Sequence, residues 1–173
     1  MFPEHGPTSR LIAHADAAAI AVKRTGGAAY AFFEPRMEAA DGDHLSLQND
    51  LRQAIERGEL ELFYQPKIDV RTRGMSGVEA LVRWQHAGRG AVASHELIAV
   101  AERFGLIGTI GQWVLDQTCR QIRHWHDEGL TIPVAVNLSA HQVRQPELVE
   151  RVTATLQRHG ISPSLITFEI TES

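Results

Sequence analysis

Apolar and polar positions alternate with period two through Val78-Glu79-Ala80-Leu81-Val82-Arg83-Trp84. Val78, Ala80, Val82 and Trp84 share one face, and Glu79, Leu81 and Arg83 share the other. The pattern predicts a strand whose apolar face packs under helices. Three further segments read as strands. Residues 61–70 are centred on Leu62 to Ile68, and Pro66 among them points to a sheet edge or a bulge. Residues 133–139 put Val134, Val136 and Leu138 on one face and Ala135, Asn137 and Ser139 on the other. Residues 165–172 set Ile166, Phe168 and Ile170 against Thr167, Glu169 and Thr171. A shorter strand is expected over 28–33. Helical spacing appears over 8–23, with Thr8 or Ser9 as N-cap and Gly26-Gly27 as the stop. It recurs over 45–58, where Leu47, Leu51, Ala54 and Ile55 form a stripe ended by Gly58. Ser94 is the expected N-cap of a helix reaching Arg103 or Phe104. Two more helices are expected. One spans about 111–128, with Trp113, Val114, Cys119, Ile122 and Trp125 buried and Gly129 as its stop. The other spans 146–159, with Pro146 in first position, Leu148, Val149, Val152 and Leu156 buried and Gly160 as its stop. Residues 71–74 read as a turn and 85–93 as a loop.

Strands alternating with helices predict an α/β fold, a parallel sheet with crossover helices that is either open or closed into a barrel. In both forms ligands collect at the C-terminal ends of the strands. Glu79, Asn137 and Glu169 stand on the less apolar faces of three successive strands. Two carboxylates and an amide are hard oxygen donors, suited to Mg²⁺ or Mn²⁺ rather than to structural zinc. Two plainer readings stand beside this one. Glu79 and Arg83, four residues apart on one face, could form a partly buried ion pair. A single Asn or Glu on such a face could be a satisfied polar core residue.

Composition narrows the field. An apolar fraction of 43% with 22% charged residues is that of a globular domain, and 173 residues suffice for one with a real core. A net charge of −4 gives no basic footprint for a nucleic-acid duplex. The single cysteine, Cys119, excludes an intrachain disulfide and falls on an apolar helical stripe, where packing is its expected role. A reducing, cytoplasmic setting follows as the expectation. No apolar run approaches a membrane span, and the first residues lack a basic region followed by an apolar core. His124 and His126 flank Trp125 at a spacing that suits solvated helix surface rather than a metal pair.

Two resemblances sharpen the picture. Phe2-Pro3-Glu4-His5-Gly6, His14-Ala15-Asp16-Ala17-Ala18, Ala21-Val22-Lys23 and Tyr30-Ala31-Phe32-Phe33 resemble the C-terminal tail of a GGDEF (diguanylate cyclase) domain. The signature loop of that family is absent from these residues, so the resemblance carries no cyclase activity. Further on, Phe63-Tyr64-Gln65-Pro66, Glu79-Ala80-Leu81-Val82-Arg83-Trp84, Ala101-Glu102-Arg103-Phe104-Gly105-Leu106-Ile107, Val136-Asn137-Leu138-Ser139 and Phe168-Glu169-Ile170-Thr171-Glu172-Ser173 resemble the EAL family of cyclic di-GMP phosphodiesterases. The resemblance implies a modified TIM barrel and hydrolysis of cyclic di-GMP to linear pGpG, with two divalent metals lowering the pKa of the attacking water. It also implies roles: Glu79, Asn137 and Glu169 as ligands of Mg²⁺ or Mn²⁺, Arg83 on a substrate phosphate, Gln65 on the substrate, and Glu172 steadying a loop. A homodimer is implied as well.

The expected organisation is a GGDEF remnant over 1–37, a linker over 38–45, and the N-terminal half of an EAL domain over 46–173. A whole TIM barrel takes about 250 residues. The family's Asp-Asp-Phe-Gly segment, its water-activating lysine and its downstream glutamate are not in the sequence. The expectation is therefore a front-half barrel, truncated and inactive alone. A binding or interaction module without catalysis is the alternative.

Overall fold

The computed structural model describes residues 14, 15, 18, 19, 22, 30–34 and 46–171. Two compact units divide the chain, 1–49 and 50–173. In the first, the described residues among 14–22 are helical, and the His14 ring stacks on Phe33 with centroids 3.8 Å apart. Residues 30–33 are not a strand, contrary to expectation. Tyr30 and Phe32 are instead exposed and meet edge to face at 6.0 Å. The N-cap expected at Thr8 or Ser9 and the linker over 38–45 lie outside the described residues, as does Glu172.

Helix α1 covers 46–54, and its Leu47, Leu51 and Ala54 are buried. It ends earlier than the stripe suggests, in a turn that closes at Gly58, where Gly58 N–H donates to the Ile55 carbonyl and Glu59 N–H to that of Ala54. Gly58 has φ +67°, the left-handed conformation that this double hydrogen bond requires and that glycine adopts without a Cβ penalty.

The second unit is built on strands β1 (Leu60–Ile68), β2 (Met75–His86), β3 (Gly90–Val92), β4 (Val134–Ser139) and β5 (Ile166–Thr171). Its helices are α2 (Ser94–Arg103), α3 (Ile107–Asp127), α4 (Ala140–Val143) and α5 (Leu148–His159). The main sheet path is β1-β2-β4-β5, with β3 paired to β2. β2, β4 and β5 are parallel, as helical crossovers dictate. β1 is antiparallel to β2, because the Asp69–Gly74 turn is too short for a crossover. Pro66 is accommodated because β1 is an edge strand, and the pairing register shifts between Lys67 and Ile68.

The apolar sheet face is the core. Val78, Ala80, Trp84, Val134, Val136 and Leu138 are all buried. Against them lies α3, with Ile110, Val114, Leu115, Cys119 and Ile122 buried. Tyr64 meets Trp125 of α3 edge to face at 5.0 Å, and burial pushes its phenol up to about 12. Burial likewise pushes the Cys119 thiol up to about 11, so it is an inert packing group.

Several local expectations are corrected. α3 begins at Ile107 rather than near Gly111, and Trp113 and Trp125 on it are only half-buried. α5 begins at Leu148 with Glu147 as N-cap, which leaves Pro146 in the preceding turn. Val149 is exposed, because Thr155 and Leu156 take the buried positions of that helix. The loop expected over 85–93 contains β3, which extends β2 as a hairpin. The N-cap of α2 is Ala93, not Ser94, whose hydroxyl donates to the Val82 carbonyl instead.

Candidate functional site

Strand pairing decides which side chains meet. Residues directly opposite in a ladder share a face, and the register pairs Gln65 with Glu79, Glu79 with Ala135, and Asn137 with Glu169. Gln65 and Glu79 therefore lie side by side, as do Asn137 and Glu169 two residues further along the parallel strands, and the four make a stepped row on the face opposite the core. Phe63, Lys67, Leu81 and Arg83 stand on the same face by the same rule. Glu79 lies one residue before the last β2–β4 pair, Ala80 with Val136, and Asn137 and Glu169 occupy the second halves of their strands.

Within the row, Asn137 Nδ2 donates to Glu79 Oε1 at 2.7 Å. Lys67 Nζ donates to Glu169 Oε1, an ion pair that joins the first and last strands of the path. Neighbouring strands lie about 4.8 Å apart, so a flat sheet would hold β1 and β5 about 14 Å from each other. The register also sets Lys67 and Glu169 four positions apart along the strands, about 13 Å more, so a direct Lys–Glu contact requires the sheet to curl, concave toward this face. The hydrogen bond to Glu169 holds the Lys67 ammonium above the usual lysine range, with the charges of Glu169 and Glu79 adding to it.

Arg83 is placed differently. Its Nη1 donates to Ser94 Oγ at 2.8 Å and to the Val82 carbonyl at 3.0 Å, and its guanidinium carbon lies 6.0 Å from the Phe63 ring centroid. The Glu79–Arg83 ion pair is not formed. Ser94 and the Val82 carbonyl hold the Arg83 guanidinium, and Asn137 holds the Glu79 carboxylate. A cleft of about 510 Å³ opens beside these groups, lined by Glu79, Arg83, Ser94 and Asn137 and by apolar side chains of β2, α2 and α3, Ile98 and Ile110 among them.

The donor set bears on metal binding. Asn137 engages one oxygen of Glu79, which leaves Glu79 Oε2 without a protein partner among the described residues. Two carboxylates flanking an amide, one of them bonded to it, suit a hard divalent cation with several waters in its shell. Among the described residues no group of three or more His, Cys, Asp or Glu side chains is placed to hold a metal. The set is thus a partial shell and not a closed cage. His124 and His126 are exposed near the end of α3, each beside an acidic neighbour, Glu128 and Asp127 respectively.

Lys67 and Ser94 are the site residues that the sequence reading missed. Lys67 follows Gln65 by two, so the period of β1 alone puts it on the site face. Ser94 carries no such signal, because the contact depends on how α2 docks against β2.

Residues 48–173 match the family model described as the EAL domain. The bifunctional diguanylate cyclase/cyclic di-GMP phosphodiesterase MucR of Pseudomonas aeruginosa is 45% identical over 175 residues, covering 100% of this chain. The cyclic di-GMP phosphodiesterase PdeR of Escherichia coli is 38% identical over 172 residues, covering 99%. The chain spans about a quarter of each relative's length, 26% in both cases. A solved MucR phosphodiesterase in complex with c-di-GMP matches 74% of this chain and 52% of its own, with TM-score 0.70 and 47% identity. The FimX EAL domain from Pseudomonas aeruginosa bound to c-di-GMP matches 74% and 50%, with TM-score 0.62 and 25% identity. The match takes in all five strands and the helices that back them, so the row from Gln65 to Glu169 stands on the scaffold of a known family, and the chain belongs to the EAL domain family.

Proposed function

We propose that this chain carries the front part of a cyclic di-GMP phosphodiesterase site. The observation that carries the reading is the row of Glu79, Asn137 and Glu169 on the concave face, with Arg83 and Gln65 on the same face. The names of MucR and PdeR, and the c-di-GMP complexes among the similar structures, support the choice of substrate. A dianionic cyclic dinucleotide approaching two carboxylates needs cations between them. Bound at Glu79, Asn137 and Glu169, Mg²⁺ or Mn²⁺ would neutralise phosphate charge and acidify a water.

The residues of the chain then divide the work. Glu79 Oε2 is an oxygen left for a cation, and the bond from Asn137 fixes its carboxylate plane. Arg83, held by Ser94 and the strand backbone, presents its remaining N–H groups to a phosphate oxygen. Gln65 offers amide hydrogen bonds to the nucleotide. A three-donor shell does not hold two metals firmly, so the reading is of binding without turnover by this chain. The front half of a TIM-like barrel is the matching architecture, supported by the curl of the sheet and the parallel pairing of β2, β4 and β5. The same reading takes residues 1–37 as derived from a GGDEF domain, supported by an alignment that covers the whole of this chain with a relative named as a diguanylate cyclase. It also includes a homodimer.

Incubation with cyclic di-GMP and Mn²⁺, followed by chromatography for pGpG and sedimentation of the same samples, tests this. Bound nucleotide without pGpG supports the reading. Formation of pGpG that Glu79→Ala abolishes would keep the phosphodiesterase assignment and overturn the incompleteness of the site. Folded protein that neither binds nor cleaves the nucleotide would contradict the reading.

A further inference from the structure

Lys67 is a cation already bonded to the oxygen set. It reaches from β1 to Glu169 on β5, 102 residues away, and also feels the Glu79 charge. Its side chain is 43% exposed and that of Glu169 is 35% exposed, so the pair lies open to water. Exposed lysine pairs are weak and the ammonium rehydrates readily, whereas a divalent cation brings twice the charge to the same oxygens. Lys67 and a metal cannot both take Glu169 Oε1 along one direction.

We propose that Lys67 is the resident counter-cation of this site, displaced from Glu169 when a divalent cation binds. In the metal-free chain it neutralises Glu169 and ties the two outer strands of the curled sheet. On metal binding it swings out on its four-carbon stem while β1 stays paired to β2. The lysine thereby weakens apparent metal affinity, since the metal competes with a tethered ammonium before it gains the carboxylate. The inference rests on the metal reading above.

The experiment is a Mn²⁺ titration of the 173-residue chain without nucleotide, with free Mn²⁺ read by electron paramagnetic resonance. Lys67→Met is expected to bind Mn²⁺ about fivefold to tenfold more tightly than wild type, from lost competition and lost charge repulsion. Lys67→Arg keeps a competing cation and is expected to stay within about twofold of wild type. Glu169→Gln is expected to lose most of the affinity. Should Lys67→Met not hold its fold, Lys67→Gln carries the same expectation. If the neutral variants bind Mn²⁺ no more tightly than wild type while Glu169→Gln still loses binding, the counter-cation role is wrong and the metal site stands. If none of the folded proteins binds Mn²⁺, the metal reading fails and the inference falls with it.

Discussion

Ser94 shows how one hydroxyl couples a helix to a site. Its Oγ donates to the Val82 carbonyl at 3.1 Å and accepts from Arg83 Nη1 at 2.8 Å, so the first residue of α2 fixes the guanidinium on β2. Ser94→Ala removes that acceptor and leaves the strand intact. The expected result is cyclic di-GMP affinity about fivefold weaker by calorimetry, with Mn²⁺ affinity unchanged. Asp116 on α3 is a second residue with a measurable signature. Its carboxylate accepts from His159 at 2.9 Å and lies beside Arg120 and Arg158. Burial alone would raise its pKa, but the His159 bond and the neighbouring cations outweigh it and hold the carboxyl below the usual range. A depressed folded pKa means that its stabilisation is fully present above about pH 4 and is lost as pH falls through the lower folded value. Melting followed by circular dichroism from pH 7 to pH 2.5 should fall more steeply for wild type than for Asp116→Asn at the acid end. The site residues on strands were legible one by one, because period two states which face each occupies. Their partners were not. Glu79 bonds Asn137 and Glu169 bonds Lys67, and both choices depend on strand order and register, which no local pattern encodes.

At the scale of elements, the join of β2 to β4 is the tightest point in the sheet. Val78 N–H donates to the Pro133 carbonyl at 2.9 Å, and a Cβ on Gly77 would lie 2.6 Å from that same oxygen. Backbone cannot yield there as a flexible side chain could. Gly77→Ala is expected to cost about 1–3 kcal/mol in urea denaturation, with the parallel pairing that sets Glu79 beside Asn137 loosened. An unchanged denaturation midpoint would show that the approach is not tight. The longer strands were readable from alternation, and the stops expected at Gly129 and Gly160 stand just past Asp127 and His159. The misreadings have physical causes. β3 is three residues, Gly90-Ala91-Val92, with too little β-branched character to announce itself, and exists because β2 runs on to pair with it. The first turn of α3 contains Gly108, a poor helix former, yet Ile107 and Ile110 bury against the core and hold it helical. α5 turns Thr155 inward because Gln112 of α3 donates to its hydroxyl at 2.9 Å, so the buried face is shifted from the purely apolar stripe.

Across the strands of the second unit, one face of the sheet carries the apolar core, left open at Ile68 and Ile170, and the other carries the polar site residues. Among the described residues no helix is long and apolar enough to cross a membrane. The fold class was legible because alternating strands and helices leave few topologies open. The antiparallel β1 was not read, although the short Asp69–Gly74 turn dictates it, and a curled sheet was expected only through the family resemblance, since curl arises from contacts between distant parts of the chain. The open row on the polar face is where the account stands or falls. The direct measurement is a calorimetric titration of cyclic di-GMP into the chain with Mn²⁺ and with chelator, for wild type and Glu79→Ala in parallel. The account predicts binding that needs Mn²⁺ and that Glu79→Ala weakens at least tenfold, with fold unchanged by circular dichroism. Binding of equal strength in chelator, or binding untouched by Glu79→Ala, would contradict a metal-bridged nucleotide site on this face.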